Sequence, residues 1–339
     1  MAERSAVSMQ DIADELGVSK VTVSKALNDK DGVSDQLKAK IQETAAQMGY
    51  VLPDYGQRKT RRVAIVTNGH FDAGQMGRFY MSMYESITRE MLFSSCAGVL
   101  ITSSRESLKQ DVEYIEKPGT FDGMILLGIL DHQIWETLNQ IPLPKVCVDV
   151  YDGSYRSDSI VTENIYAACD ITRLLIRNGH REIGFVGTLG TTTSIDDRYL
   201  GFRRALMEQG LTLNQDWMVA DRDSEGNAVD LVLPKILPTA FMCNCDESAF
   251  RLVRALRERG LRVPQDISVV GFDDDIFAEL CEPQLTTVAV NTEEMGRMAV
   301  EDIVHCMTTP EVREGKVERI PGRLIIRDSV RDLRKKGEK

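Results

Sequence analysis

The chain of 339 residues is long enough for two or three domains, because a domain usually holds roughly 100–200 residues. Hydrophobic residues make up 42 % of it and charged residues 27 %, which excludes collagen-like, low-complexity and wholly disordered chains. The formal net charge of −11 argues against a general nucleic-acid binder. Residues 1–62 nevertheless hold ten Lys/Arg and nine Asp/Glu, so a near-neutral head precedes an acidic remainder.

The sequence indicates neither a membrane-spanning segment nor a set of disulfide bonds. No apolar run reaches the roughly 18–20 residues of a membrane span, and the polar N-terminus has no signal-peptide core. Seven scattered cysteines, an odd number, fit reduced thiols better than a disulfide framework. We therefore expect a cytoplasmic protein with no membrane partner.

The first fifty residues predict three short helices. The apolar spacing in Met9–Leu16 is that of one helical face. Ser19 is placed to cap a second helix that runs to about Asn28, and Ser34 a third. A turn containing Gly17 separates the first two helices, which is typical of a helix-turn-helix unit.

After residue 50 the pattern changes twice. Residues 51–62 contain Pro, Gly and a basic cluster and predict a linker. Beyond them, short β-branched runs alternate with helical stretches, which indicates parallel sheets with crossover helices. Similar strand–loop–helix–strand runs begin at Val63 and at Glu182, so we predict two doubly wound lobes with a cleft between them. The predicted boundaries are a head at 1–50, a linker at 51–62 and an α/β body at 63–339, with a first lobe at about 63–162 and 291–319 and a second at about 163–290 and 320–331.

The segment Asp11–Asn28, followed by Val33-Ser34 and Met48-Gly-Tyr50, closely resembles the headpiece of the lactose-repressor (LacI/GalR) family. The resemblance implies a homodimeric transcriptional regulator that binds a double-stranded DNA operator. It also implies a periplasmic-binding-protein-like body that dimerises and holds a small-molecule effector. Weaker matches follow in family order through the body: Asn178-Gly-His-Arg181, Arg198 with Gly201-Phe202, Ile267–Asp273, Leu285–Val288, and Arg327 with Ser329.

A recognition helix needs exposed side chains near its N-terminus that reach base edges in the major groove. Lys20, Val21 and Lys25 occupy that face, and the resemblance places the base-reading positions on them. Lysine donates to guanine acceptors and valine packs on a thymine methyl, whereas short polar side chains suit phosphate oxygens. The alternative is an ordinary solvated helix face. The predicted DNA-contacting residues are Met9, Ser19, Lys20, Val21, Thr22, Ser24, Lys25, Asn28 and Ser34.

The linker departs from the family pattern. Family members carry an Ala-Arg-x-Leu stretch that folds into a hinge helix on DNA and wedges a leucine into the minor groove. Here residues 51–62 contain no such stretch, and Gly56 weakens any helix. We therefore expect a short, degenerate hinge without the leucine wedge, whose basic residues contact phosphates or enter the minor groove as an arm: Arg58, Lys59, Arg61 and Arg62.

Several carboxylates follow predicted strands, where ligands bind in doubly wound sheets. Such groups accept hydrogen bonds from sugar hydroxyls, and an arginine donates to sugar oxygens. The resemblance implies effector contacts for Asp149, Arg198 and Asp273 and an aromatic lining from Phe79 and Tyr80. The alternative is that strand-end aspartates only cap the following loops. The predicted effector-binding residues are Phe79, Tyr80, Asp149, Arg198, Asp246 and Asp273.

No catalytic constellation, cofactor or metal site is predicted. The four histidines are dispersed, and neither a Walker loop nor a G-x-S-x-G motif occurs. The pair Cys243 and Cys245 lacks the further ligands of a metal site, so we predict a buried strand there. Gly184–Gly190 resembles a dinucleotide fingerprint only superficially, because its spacing is wrong and Thr191–Ser194 does not look like a helix start.

The sequence thus predicts a regulator, with a repressor favoured over an activator, whose effector is a sugar or sugar derivative. A purine-like corepressor is the alternative within this class. From other classes, a cytoplasmic solute-binding protein and an enzyme with a similar sheet remain open.

Overall fold

The computed structural model describes residues 9–27, 32–48, 50, 60–68, 76–128, 132–151, 157–223, 226–309 and 315–334. Its residues form two compact units, 1–60 and 61–339. The predicted contact residue Asn28 and most of the predicted linker, residues 51–59, lie outside the described residues. The degenerate hinge therefore stays a prediction.

The described part of the first unit is a small helical head. Its elements are α1 (Met9–Leu16), α2 (Lys20–Leu27) and α3 (Asp35–Gln47). Ile12, Val23 and Ile41 are fully buried at its centre, one from each helix. Gly17 turns the chain between α1 and α2 with a φ of 65°, a left-handed conformation that glycine adopts at no steric cost. The Ser19 hydroxyl accepts a hydrogen bond from the Thr22 amide at 3.1 Å and caps α2.

The second unit begins with a parallel sheet covered on both faces. Its strands are β1 (Arg61–Asn68), β2 (Cys96–Ser103), β3 (Gly123–Leu127), β4 (Lys145–Val148), β5 (Asp158–Thr162) and β11 (Val317–Ile320), in the order β2-β1-β3-β4-β5-β11. Its helices are α4 (Met76–Phe93), α5 (Leu108–Glu116), α6 (His132–Gln140) and α11 (Thr292–Thr308). Because side chains alternate along a strand, Val63 and Ile65 pack in the core formed with α4 and α11, whereas Ala64 and Val66 pack with α5 and α6.

The second lobe repeats this plan on a smaller scale. Its parallel strands are β6 (Ile183–Val186), β7 (Met218–Val219), β8 (Ala240–Cys243) and β9 (Ser268–Val270), in the order β7-β6-β8-β9. Its helices are α7 (Asn164–Arg177), α8 (Thr193–Glu208), α9 (Asp246–Glu258) and α10 (Ile276–Leu280). Phe185 points to the side of α7 and α8, and Val186 to the side of α9. The prediction of two doubly wound parallel sheets is confirmed.

Both lobes are built from separated chain segments. An antiparallel ribbon of β10 (Thr287–Ala289) and β12 (Arg323–Ile325) packs on the second lobe, whereas α11 and β11 between its strands belong to the first lobe. The chain therefore passes between the lobes three times: after β5, after β10, and between β11 and β12.

Two local predictions are wrong. The first strand begins at Arg61 rather than Val63, because Arg61 and Arg62 pair in register with β2 and the Arg62 amide donates to Asp122 at 2.8 Å. These two arginines belong to the sheet and not to a basic arm. Residues 191–194 do start a helix, since the Thr192 hydroxyl accepts from the Ile195 amide at 3.0 Å and caps α8.

The contact between α7 and α8 depends on a glycine. A methyl group at Gly201 would lie 2.1 Å from the carbonyl oxygen of Ile165. Gly201→Ala should therefore lower the free energy of unfolding by roughly 1–3 kcal/mol through overpacking, although alanine is the better helix former. Urea unfolding followed by circular dichroism measures this. Leu200→Ala, at the neighbouring exposed position, is the control and should shift stability by less than about 0.5 kcal/mol. Equal stability of the Gly201 variant and the wild type would contradict the close contact.

Candidate functional site

A cavity of about 50 Å³ lies between the two lobes of the body, where strands of both sheets end. The first lobe lines it with an aromatic pair and a carboxylate, and the second lobe with polar and charged groups that follow its strands. The lining residues are Phe79, Tyr80, Asp149, Thr192, Ser194, Ile195, Arg198, Arg222, Asn244, Cys245, Glu247, Asp273 and Asp275.

The structure brings together five of the six residues predicted to bind an effector. Phe79, Tyr80 and Asp149 face the cavity from the first lobe, and Arg198 and Asp273 from the second. Residues as far apart in the chain as Phe79 and Asp273 thus meet at one cleft, as the strand-end rule anticipates. That these five residues contact an effector stays a prediction.

The sixth residue, Asp246, does not line the cavity. It is fully buried, and its carboxylate accepts hydrogen bonds from the Thr287 hydroxyl at 2.6 Å and the Asp275 amide at 3.1 Å. A methyl group on Gly271 would lie 1.9 Å from its Oδ1, so glycine is needed for this close approach. Burial raises the pKa of Asp246 well above its usual range. Asp246 therefore has a structural role, and its carboxylate joins the start of α9 to Thr287 in β10 and to the turn at Asp275.

Arg198 is the central group of the cavity wall. Its Nε donates to Asn164 Oδ1 at 2.9 Å and its Nη1 to the carbonyl oxygen of Asn244 at 2.6 Å. Its Nη2 lies 2.9 Å from Asp273 Oδ1, and its plane stacks over the Phe272 ring at 3.9 Å. Every branch of this buried guanidinium is therefore engaged by the protein itself.

Asp149 is the carboxylate of the first lobe that faces Arg198. The Tyr80 hydroxyl donates to its Oδ2 at 3.0 Å, whereas its buried Oδ1 accepts no hydrogen bond from the described residues. Burial raises the pKa of Asp149 to about 6, although Arg198 acts in the opposite direction. Burial likewise raises the pKa of Asp273 to about 7. Both residues have a positive φ, 58° and 106°, so their backbone conformation is strained.

A second polar network supports the cavity and escaped the sequence analysis. Arg222 forms an ion pair with Asp221, in which Nη2 and Oδ2 are 2.9 Å apart. Asp221 also accepts from Asn244 Nδ2 at 2.7 Å and from the Ser248 hydroxyl at 2.6 Å. Asn244 directly follows a predicted strand, so the strand-end rule could have found it. Arg222 follows the two-residue strand β7, which leaves no periodic signal.

Cys245 places a thiol in the wall of the cavity. It precedes α9 and lines the cavity, with its Sγ 3.9 Å from Arg222 Nη2. Burial raises the pKa of the Cys245 thiol to about 12, so it is a neutral thiol and not a reactive thiolate. Cys243 is buried in β8, in agreement with the strand predicted there.

The head presents most of its predicted DNA-contacting residues at the surface. Lys20 and Lys25 are exposed on α2, and Val21 between them is 65 % exposed although it is apolar. Ser19 and Ser34 are exposed, and Thr22 and Ser24 are half-buried. Met9 is different, because its side chain packs against the head's core. Its side chain is nevertheless only half-buried, like those of Thr22 and Ser24, and its contact with DNA stays a prediction.

Within the residues that the structure describes, no group of three His, Cys, Asp or Glu side chains could hold a metal ion. No helix in the same ranges is long and apolar enough to cross a membrane.

A helix-turn-helix head followed by a two-lobed body with a polar cleft defines a ligand-responsive DNA-binding regulator. Residues 8–52 match the model of the bacterial regulatory proteins of the lacI family, and residues 172–330 match a periplasmic binding protein-like domain. The HTH-type transcriptional regulator RegA of Clostridium saccharobutylicum is 29 % identical over an alignment of 318 residues, and the match covers 91 % of this chain and 95 % of RegA. The chain belongs to the lacI family, and it is a transcriptional regulator rather than an enzyme.

Solved structures show the same fold. The complex of the transcriptional regulator CelR with cellobiose is 25 % identical, with a TM-score of 0.70, and the match covers 95 % of this chain and 99 % of CelR. The lac repressor dimer bound to operator and the anti-inducer ONPF is 22 % identical, with a TM-score of 0.68, and the match covers 96 % of this chain and all of the repressor chain.

The raised pKa of Asp149 predicts a pH-dependent stability. The folded state binds this proton more tightly than the unfolded state, so the free energy of unfolding falls as pH rises from about 4 to about 7. Asp149→Asn removes this contribution. When the pH is lowered from 7.5 to 4.5, the free energy of unfolding of the wild type should rise by roughly 1–3 kcal/mol more than that of the variant. The reason is that a shift of one pKa unit corresponds to about 1.4 kcal/mol.

Urea unfolding of both proteins at several pH values provides the measurement. Asp216→Asn, which removes an exposed carboxylate from the same body, is the matched control. A constant stability difference between the wild type and Asp149→Asn across this range would show that Asp149 titrates normally.

Proposed function

We propose that this chain is a cytoplasmic, homodimeric repressor that binds a near-palindromic DNA operator and is controlled by a neutral, sugar-like effector held between its lobes. The observation that carries the effector class is the charge arrangement of the cavity. Four carboxylates line it, from Asp149, Glu247, Asp273 and Asp275, whereas its two arginines are engaged by protein oxygens.

This arrangement disfavours an anionic effector. A phosphate or carboxylate ligand would need guanidinium donors, and those of Arg198 already contact Asn164, Asn244 and Asp273. Carboxylates with spare acceptor capacity instead suit the hydroxyl donors of a sugar. The Asp149 Oδ1 atom, which accepts no hydrogen bond from the described residues, is one such acceptor. The structure of CelR, which is a complex with cellobiose, supports a saccharide as the effector class.

The same cleft offers a way to couple the ligand to DNA binding. Asp149 belongs to the first lobe and Asp273 to the second, so a ligand that bonds to both favours one arrangement of the lobes over others. A ligand shifts a conformational equilibrium only by its differential affinity for the two states. The three chain crossings between the lobes are the segments that such a change would bend.

The proposed operator contact is made by α2. Exposed Lys20, Val21 and Lys25 form one surface on a helix whose opposite side is buried against α1 and α3. An exposed valine between two lysines combines an apolar contact for a thymine methyl with donors for guanine. Because the chain beyond the head carries a net negative charge, DNA affinity is expected to reside in the head.

Removal of Lys25 should weaken operator binding selectively. If this side chain contacts a base, Lys25→Ala should cost roughly 1–3 kcal/mol at the cognate site and relax discrimination at one operator position. The operator is first selected from a random duplex library with the wild-type protein, and affinities are then compared by fluorescence anisotropy. Lys109→Ala, which removes an exposed lysine from α5 of the body, is the control and should bind like the wild type. A uniform loss on all sequences would reassign Lys25 to a phosphate contact.

Replacement of Asp273 should separate DNA binding from ligand response. Asp273→Asn keeps the shape of the side chain but removes the charge that pairs with Arg198 and the acceptor for a ligand hydroxyl. Operator affinity should stay within about threefold of the wild type, whereas the sugar concentration for half-maximal response should rise at least about tenfold. A panel of neutral, amino- and phosphosugars is titrated against the protein–operator complex. A response to phosphosugars alone, or an unchanged response of the variant, would overturn the proposed effector site.

A further inference from the structure

A second cavity of about 160 Å³ lies on the far side of Asp149. Asp149 and Ser194 line both cavities, so the two spaces meet at these side chains. The second cavity also lies between the lobes, because Tyr151 and Arg319 come from the first lobe and Asp197 from α8 of the second. The polar cleft is therefore longer than the first cavity alone.

The second cavity has the chemistry of a sugar subsite. Tyr151 is 41 % exposed and lines the cavity with an aromatic side chain of the kind that packs on the apolar face of a pyranose. Asp197 and Arg319 supply an acceptor and a donor for hydroxyl groups. Arg319 lies 3.9 Å from Glu163, beyond hydrogen-bond distance, and its side chain is half-exposed. Its guanidinium is thus less engaged by the protein than that of Arg198.

Asp149 connects the two spaces chemically. Its Oδ2 is held by Tyr80 on the side of the first cavity, and its buried Oδ1 accepts no hydrogen bond from the described residues. A buried carboxylate oxygen that accepts no hydrogen bond destabilises the folded protein unless a donor is supplied to it. A ligand that extends past Asp149 would supply that donor.

We infer that the effector is a two-ring saccharide that spans Asp149, with one ring between Tyr80 and Asp273 and the other on Tyr151 beside Asp197 and Arg319. This inference rests on the proposed function and adds the size of the ligand and a second ring subsite. Each ring then has an aromatic contact and polar contacts from both lobes.

Isothermal titration calorimetry of the full chain with matched sugars tests the inference. The probes are the disaccharides cellobiose, maltose, lactose, sucrose and trehalose, beside glucose, galactose and fructose. At least one disaccharide should bind roughly tenfold or more tightly than its component monosaccharides. Tyr151→Ala and Arg319→Gln should each remove most of that advantage and leave monosaccharide affinity within about twofold of the wild type.

Tyr166→Ala is the matched control, because Tyr166 is a similarly exposed tyrosine on α7 that does not line either cavity. It should bind every probe like the wild type. A monosaccharide that binds as tightly as any disaccharide, or disaccharide binding that survives both substitutions, would overturn the second subsite while leaving the proposed function intact. Failure of every saccharide to bind would instead overturn the proposed effector class, and the two-ring inference with it.

Discussion

The buried guanidinium of Arg198 fixes the geometry on which the cleft depends. It joins the start of α7 through Asn164, the end of β8 through Asn244 and the turn after β9 through Asp273. A charge buried this deeply is tolerated only when it is fully hydrogen-bonded, and removal of one partner typically costs 3–5 kcal/mol. Three strand and helix ends of the second lobe are therefore held as one unit, and they form the wall against which a ligand binds.

Because the guanidinium of Arg198 is hydrogen-bonded to the protein itself, recognition of a ligand depends on the groups around it. The strained Asp149 and Asp273 face each other across the cleft, and both have a raised pKa because they are buried. Strain and incomplete hydrogen bonding are costs that a ligand with hydroxyl donors can reduce. The first lobe contributes mainly the aromatic side of the cleft and the second lobe its fixed polar side.

The sequence predicts those parts of this structure whose signals are local. The strands Ile183–Val186 and Ala240–Cys243, for example, are short apolar runs buried on both faces, which is a local signal of a strand. The strand-end rule placed Asp149 and Asp273 in the cleft but misassigned Asp246. A sequence shows where a strand ends, but it does not show which way the following side chain points. The Asp246 carboxylate is oriented by its hydrogen bond with Thr287, 41 positions away, and by the space left at Gly271. Arg222 was missed because its strand is too short to show alternation.

The interleaved lobes constrain the order in which the protein can fold on the ribosome. The head has its own core within the first fifty residues and can form as soon as that segment emerges. The first lobe cannot, because α11 and β11 complete it only after the whole second-lobe segment has been synthesised. Until then β5 is an unpaired edge beside a half-covered sheet, the kind of surface that invites wrong pairing. The nascent chain can thus display a finished DNA-binding head before its ligand sensor exists.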